Sequence, residues 1–284
     1  MKSIPSTASE AMTTVPAASV LRTSAPIDLL EHRNYIWPWS SSWLYRYASP
    51  ATGALKPLAG FVGDAVVRIR GNEITGRTAD NDGVFVRNLV VDASAISGGN
   101  VDCLRVEGLC RDLTFERVSV RSSRGSGNGL HFLTGAGEAP PRGVRVHAAA
   151  AYGCAGHGIR LNGVTDSHLS DMLAVANTGR GIYASNSGEN TFEGCRAVFN
   201  TSDGWCLDGN TSMAMTTLLA PATDRNGASG ILITQTGSHP IQIIAPRLRR
   251  DGRAAADQNH AALKLTGSSG NPVCPVEVVT GQSV

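Results

Sequence analysis

Apolar and polar positions alternate in short bursts along most of this chain, and each burst opens on a glycine or another small residue. The clearest are GHGIRLNG, GRGIYASN, SDGWCLDG and ASGILITQ, whose shared glycines Gly158, Gly181, Gly204 and Gly230 are separated by 23, 23 and 26 residues. Gly129 holds the same place in GSGNGLHFL, Cys103 in VDCLRVEG, Val66 in AVVRIRG and Ala262 in NHAALKLTG. One and three residues after these positions come apolar pairs: Leu104 and Val106, Leu130 and Phe132, Ile159 and Leu161, Ile182 and Ala184, Trp205 and Leu207, Ile231 and Ile233, Leu263 and Leu265. Period two over a few residues predicts a strand with one buried face, and its recurrence once per repeat predicts that the copies stack.

A second apolar position, Val146, Leu169, Phe192 and Leu218, precedes four of the glycines by 12 residues. Four residues before the same glycines stand Cys154, Asn177, Asn200 and Asn226. Asparagine tolerates left-handed backbone, and stacked asparagine side chains hydrogen-bond from one layer to the next, so a turn and an Asn ladder are expected there. A repeat of about 23 to 30 residues with no helical period excludes helical repeats. No LxxLxLxxN consensus appears, and propeller blades need about 40 residues. The expected fold is all-β, a right-handed single-stranded parallel β-helix solenoid of about eight coils and about 40 Å long at about 4.8 Å per coil.

The repeat also divides the chain. Residues 1–26, rich in Ser, Thr, Ala and Pro, read as a flexible N-terminal segment, and residues 61–284 as the β-helix. Residues 27–60 read as a cap or docking segment, because NYIWPWSSSWLYRY holds Tyr35, Trp37, Trp39, Trp43, Tyr45 and Tyr47. Aromatic surface suits either covering the first coil or seating another subunit or a sugar.

Charged residues make up 17% of the 284, too few for helical bundles or coiled coils. The net charge of +2 gives no electrostatic case for nucleic acid as a partner. No long apolar run suggests membrane insertion, and the N-terminal segment lacks the uninterrupted apolar stretch of a secretory signal. The six cysteines, Cys103, Cys110, Cys154, Cys195, Cys206 and Cys274, form no CxxC pair and read as buried thiols.

The alternation assigns faces, and so places candidate chemistry. Two residues after the glycine position, pointing outward, come Arg105, His131, Arg160, Tyr183 and Cys206; four after it comes Asp208 in the Trp205 repeat. One residue before it come Asp102, Asn128, His157, Arg180 and Asp203, a row of inward parity that reaches solvent only where the chain bends at the glycine. With that bend, His131, His157, Arg160 and Arg180 form a cationic and aromatic strip suited to a polysaccharide along the axis, and Tyr183, Asp203 and Asp208 are the candidate catalytic groups. On a straight strand the Asp203 and Asp208 Cα atoms are about 16 Å apart, well beyond the roughly 6.5–9.5 Å between the carboxyls of an inverting glycosidase. A lyase needs instead a base beside a charge-neutralising cation, which Tyr183 with Arg160 and Arg180 can supply. The GxGxG string at Gly125, Gly127 and Gly129 precedes no helix, so no dinucleotide site is expected. His168 between Asp166 and Asp171 could hold a metal but reads rather as the turn and edge of the second strand, so neither a metal nor a cofactor is expected.

GENTFEGCRAVFNTSDGWCLDG resembles coils of the pectate-lyase-like superfamily, most of all those of tail proteins of bacteriophages that infect actinobacteria. The matching residues are Asn190, Thr191, Phe192, Cys195, Arg196, Ala197, Asn200, Gly204 and Trp205, and the resemblance extends over about residues 60–270. It implies a homotrimeric tail spike or tail fibre of the virion that recognises, and in some members depolymerises, host surface polysaccharide, with other tail proteins of the particle as further partners. A free-standing bacterial polysaccharide lyase, hydrolase or epimerase, or a purely structural tail column, is the alternative. The catalytic basic residues and calcium carboxylates of lyase members have no counterpart here.

Overall fold

The computed structural model describes residues 20–29, 34–36, 54–71, 83–135, 139–209, 215–253, 261–267 and 272–280. The chain winds as a right-handed parallel β-helix. It visits three sheets in turn, and each sheet collects nine strands, every one paired with the strand one coil away. One coil shows the plan: Leu173–Val175 in the first sheet, Ile182–Ser185 in the second and Thr191–Glu193 in the third. Neighbouring strands pair parallel in every case, with Ile159, Ile182, Trp205, Ile231 and Leu263 in one register column.

Short strands suffice because no strand is stabilised alone. Each buries its inward residues on the like residues of the coils above and below, and the resulting core runs the length of the column. The second sheet contributes Leu104, Leu130, Ile159, Ile182, Trp205 and Ile231, and the third contributes Val146, Leu169, Phe192 and Leu218, all buried. Phe192 meets Trp205 edge to face at 5.4 Å, and Phe115 meets Phe132 likewise at 5.7 Å. The six cysteines are free thiols, all buried.

The described residues form nine coils, where about eight are expected. The additional one is the first, formed by Val20–Thr23, Ile27–Asp28 and Asn34–Ile36. Its strands carry neither the glycine nor the apolar pair, so periodicity does not reveal them, and they lie within the stretches read as N-terminal segment and cap. Tyr35 packs against the core from the third sheet. Trp37, Trp39, Trp43, Tyr45 and Tyr47 lie outside the described residues.

The asparagines do form a ladder. Asn177 Nδ2 donates to Asn200 Oδ1 at 2.8 Å, and Asn200 Nδ2 to Asn226 Oδ1 at 2.9 Å. Asn226 Nδ2 donates in turn to Asp251 Oδ1 at 2.8 Å, so a carboxylate ends the series. The same three oxygens accept the backbone N–H groups of Asn177, Asn200 and Asn226, and Asn177 Oδ1 accepts that of Cys154. The left-handed residue is the one before each: Gly153, Ala176, Phe199 and Arg225, with φ of 59°, 54°, 58° and 56°. That residue turns the chain so that the following side chain points into the column. Left-handed backbone costs a non-glycine residue roughly 1–2 kcal/mol, which the buried hydrogen bonds of the ladder offset.

Candidate functional site

The ladder explains the glycines, and the glycines build the site. A Cβ on Gly181 would lie 2.6 Å from Asn200 Nδ2 and 2.7 Å from Ala197 Cβ; one on Gly158 would meet Asn177 and Ala174 in the same way. Without a side chain there, the backbone bends against the ladder and turns the preceding residue outward. The row Asp102, Asn128, His157, Arg180 and Asp203 thereby stands beside the row Arg105, His131, Arg160, Tyr183 and Cys206, although Cys103 replaces the glycine after Asp102. Arg105, His157, Arg160, Arg180 and Tyr183 are half-exposed, whereas Asp102, Asn128, His131, Asp203 and Cys206 are buried rather than open to solvent.

The bend leaves backbone N–H groups to satisfy, and the outward-turned side chains satisfy those of the next coil. Asp102 Oδ1 accepts from Asn128 N–H at 2.5 Å and Asn128 Oδ1 from His157 N–H at 3.0 Å. His157 Nδ1 accepts from Arg180 N–H at 3.0 Å, and Asp203 Oδ1 from Ser229 N–H at 3.0 Å. A ring nitrogen that accepts carries no proton, so His157 is neutral with its hydrogen on Nε2. Burial, reinforced by the charges of Arg160 and Arg180 and by His131, pushes its pKa down to about 4.

Tyr183 is the centre of the strip. Its ring lies 4.8 Å from that of His157, with the Arg180 and Arg160 guanidinium carbons 4.6 and 5.7 Å from its centroid. Its hydroxyl donates to Asp208 Oδ2 at 2.8 Å. Burial, and then the Asp208 hydrogen bond, raises the Tyr183 pKa. Burial works against ionisation of Asp208 too, but hydrogen bonds from Tyr183, from the Thr234 hydroxyl at 3.0 Å and from Gly209 N–H outweigh it and hold the carboxyl below its ordinary range. The proton therefore stays on Tyr183, a donor tied to a carboxylate rather than a primed base. Asp203 has both oxygens engaged, the second by Arg180 Nε at 3.2 Å, and is 5% exposed. Asp203 thus holds Arg180 while Asp208 holds Tyr183. Cys206 is sealed in the outward row, its thiol pushed up to about 12 by burial.

At the other end, His131 Nδ1 meets Asp102 Oδ2 at 2.8 Å, and Arg105 Nε bonds the same oxygen at 2.7 Å while its Nη1 reaches Asp64. Burial opposes the charge on Asp102, yet His131, Asn128 N–H and Arg105 together lower its pKa. With Nδ1 so held, Nε2 is the free ring position of His131. Sequence parity places Asp102 and Asn128 in the bent row but does not single them out. The signal available is the Asp102–Arg105 spacing within one strand; Asp64 and Thr234 carry none, because their contacts come from the coils on either side.

Arg160 differs from its neighbours. Register puts it between His131 and Tyr183. Its Nε is closed off from solvent and has no hydrogen-bond partner, and no carboxylate pairs with it among the described residues, whereas Arg105 and Arg180 are both paired. On the third sheet, exposed His168 pairs with Glu193 at 3.2 Å and His147 lies 3.7 Å from Asp171. No group of three or more metal-ligating side chains occurs among the described residues, and none of their helices is long and apolar enough to cross a membrane.

Comparison with curated protein sequences gives no match. Among solved structures, the A-module of the mannuronan C-5 epimerase AlgE4 of Azotobacter vinelandii superposes with a TM-score of 0.59 at 16% identity, over 93% of this chain and 85% of that one. The A-module of AlgE6 from the same organism gives 0.51 at 16% identity, over 88% and 78%. Tailspike protein 2 of the Escherichia coli O157:H7 bacteriophage CAB120 gives 0.52 at 12% identity, over 92% of this chain and 38% of that one. At such identities the likeness is one of fold. The family model for the right-handed beta helix region matches residues 91–243, more than half of the sequence. This chain belongs to the right-handed β-helix family.

Proposed function

We propose that the outer face of the second sheet binds an acidic polysaccharide lying across the strands, with a sugar carboxylate on Arg160. The observation that carries this reading is the unpaired, half-sheltered Arg160 guanidinium between His131 and Tyr183. A half-buried cation whose Nε is closed off from water without a partner gains from a ligand that supplies the counter-ion. Tyr183 and the neutral His157 ring give a sugar an apolar face, Arg180 a second cation, and the His157 Nε2–H a donor for a hydroxyl. The two mannuronan epimerases named above fit this substrate class. As the setting, we propose a host-attachment spike of a phage particle, homotrimeric and docked to other tail proteins.

A second reading is favoured by one observation, the Asp102–His131 pair next to Arg160. Arg160 neutralises a uronate carboxylate and makes the adjacent C5–H more acidic. His131, oriented through Nδ1 by Asp102, takes that proton at Nε2. The electron pair left on C5 either expels the C4 oxygen, which leaves with a proton from Tyr183, to give a C4=C5 double bond, or recaptures a proton on the opposite face. In this chemistry Tyr183 is the acid, Asp208 holds it, and Asp203 positions Arg180.

Calorimetric titration with polygalacturonate, alginate and neutral dextran tests the proposal. Wild type is expected to bind an acidic polymer and not dextran, and Arg160→Ala to lose at least tenfold in affinity. Equal binding of dextran, or undiminished binding by Arg160→Ala, would overturn it. Unsaturated or epimerised product, lost in His131→Gln, establishes the second reading; binding without product excludes it.

A further inference from the structure

The formal net charge of the chain is only +2, yet its cations are not spread evenly. The last coils of the first sheet and the corner that leads to the second gather Arg196, Arg225, Arg247, Arg249, Arg250 and Arg253, all exposed except the half-buried Arg225. Among the described residues of these segments two carboxylates occur, Asp224 and Asp251, and both are engaged. Asp224 is held by Arg250 at 2.6 Å, and Asp251 caps the Asn ladder while accepting from the Thr223 hydroxyl. The other five arginines pair with no carboxylate among the described residues. Because the whole-chain charge is so small, the rest of the molecule is net negative, and whole-chain charge conceals this patch.

Register gives the patch order. Arg196 and Arg247 lie in one outward column with Ala222 between them, which spaces the two guanidinium stems by about 10 Å, twice the interstrand distance. Arg249 stands over Asp224 in the adjoining column. Phe199, Arg225 and Arg250 occupy the same left-handed corner position in successive coils, with φ of 58°, 56° and 51°. Phe199 is 40% exposed, and the guanidinium carbons of Arg225 and Arg253 lie 5.4 and 5.5 Å from its ring centroid. Cations repeated along the axis and flanking an exposed ring match a polymer with a negative charge on each of many units.

The corner is short. Residues 199–204 join the first-sheet strand Arg196–Val198 to the second-sheet strand Trp205–Asp208, and Asp203 within it holds Arg180 of the candidate site. From this continuity we infer that the arginine patch is a second binding surface for an acidic polysaccharide, which takes a stretch of the polymer that leaves the second-sheet face and wraps the corner. The choice of polymer rests on the proposed function; the existence of an anion-binding surface rests on the patch alone.

The test compares polygalacturonate with its trimer, using wild type, Arg249→Ser/Arg253→Ser, the matching double Lys variant, and Arg160→Ala. The Ser variant is expected to bind the long polymer at least tenfold more weakly, to show a shallower salt dependence of binding, and to keep wild-type affinity for the trimer. The Lys variant keeps most of the long-polymer affinity because it keeps the charge. Unchanged long-polymer binding by the Ser variant overturns the inference, as does an equal loss in the Lys variant. Tighter binding of duplex DNA than of polygalacturonate overturns the polysaccharide as occupant. Should wild type fail to bind the trimer while the Ser variant still weakens the long polymer, the second-sheet site falls and the patch stands.

Discussion

At the scale of single residues, the polar side chains of the candidate face do two things at once. His157 is the clearest case: its Nδ1 satisfies the Arg180 N–H, which fixes the proton on Nε2 and keeps the ring uncharged against the cations around it. The folded pKa of about 4 lies below the ordinary histidine value of 6.5, so the unfolded chain takes up a proton first as pH falls. The stabilisation from neutral His157 is complete above about pH 6.5 and is lost between there and about pH 4. Asparagine at this place offers Oδ1 to the same N–H, as Asn128 does one coil earlier. His157→Asn is therefore expected to keep the fold and to flatten the stability profile between pH 6.5 and 4, measured by urea unfolding at a series of pH values. A slope equal to wild type would show that the ring is not the group that titrates. Loss of stability below that window, where Asp102 and Asp208 take up protons, remains in the variant.

At the scale of the element, the coil is held by its corner as much as by its strands. Asn200 accepts from Asn177 through N–H and Nδ2, and donates to Ala174 carbonyl and Asn226. Its truncation strands buried donors and acceptors on both sides. Asn200→Ala is expected to cost about 2–4 kcal/mol in equilibrium unfolding, more than one unmet buried group alone. A loss below about 1 kcal/mol would mean that water enters the corner and replaces the ladder. Much of this element was legible beforehand. The glycine column, the apolar pairs and the asparagine positions each recur in sequence, and each recurs for a reason that stacking imposes. The left-handed residue was not legible, because Ala176, Phe199 and Arg225 share no side-chain chemistry and only the backbone distinguishes them. The first coil was hidden for the related reason that strands at the end of a stack need to fit a neighbour on one side only.

At the scale of the whole molecule, the faces of the column differ in what they display. The core is common, the second sheet carries the unpaired Arg160 with its aromatic and histidine neighbours, and the first sheet ends in an arginine patch. Parity alone brought His131, Arg160 and Tyr183 into one row. It also placed His157, Arg180 and Asp203 beside them, once the glycines allowed the bend. It could not distribute roles within the strip, because those depend on contacts between coils: Asp208 on Tyr183, Asp102 on His131, Asp203 on Arg180. The absence of a counter-ion at Arg160 is likewise visible only in three dimensions, and it is the feature from which the function is argued. The most direct test is a crystal structure of the protein with a short oligogalacturonate. The account predicts a sugar carboxylate on the Arg160 guanidinium and successive sugars stepping over the His131, Arg160 and Tyr183 coils. An oligomer bound on the third sheet, or one lying elsewhere without touching Arg160, would contradict it.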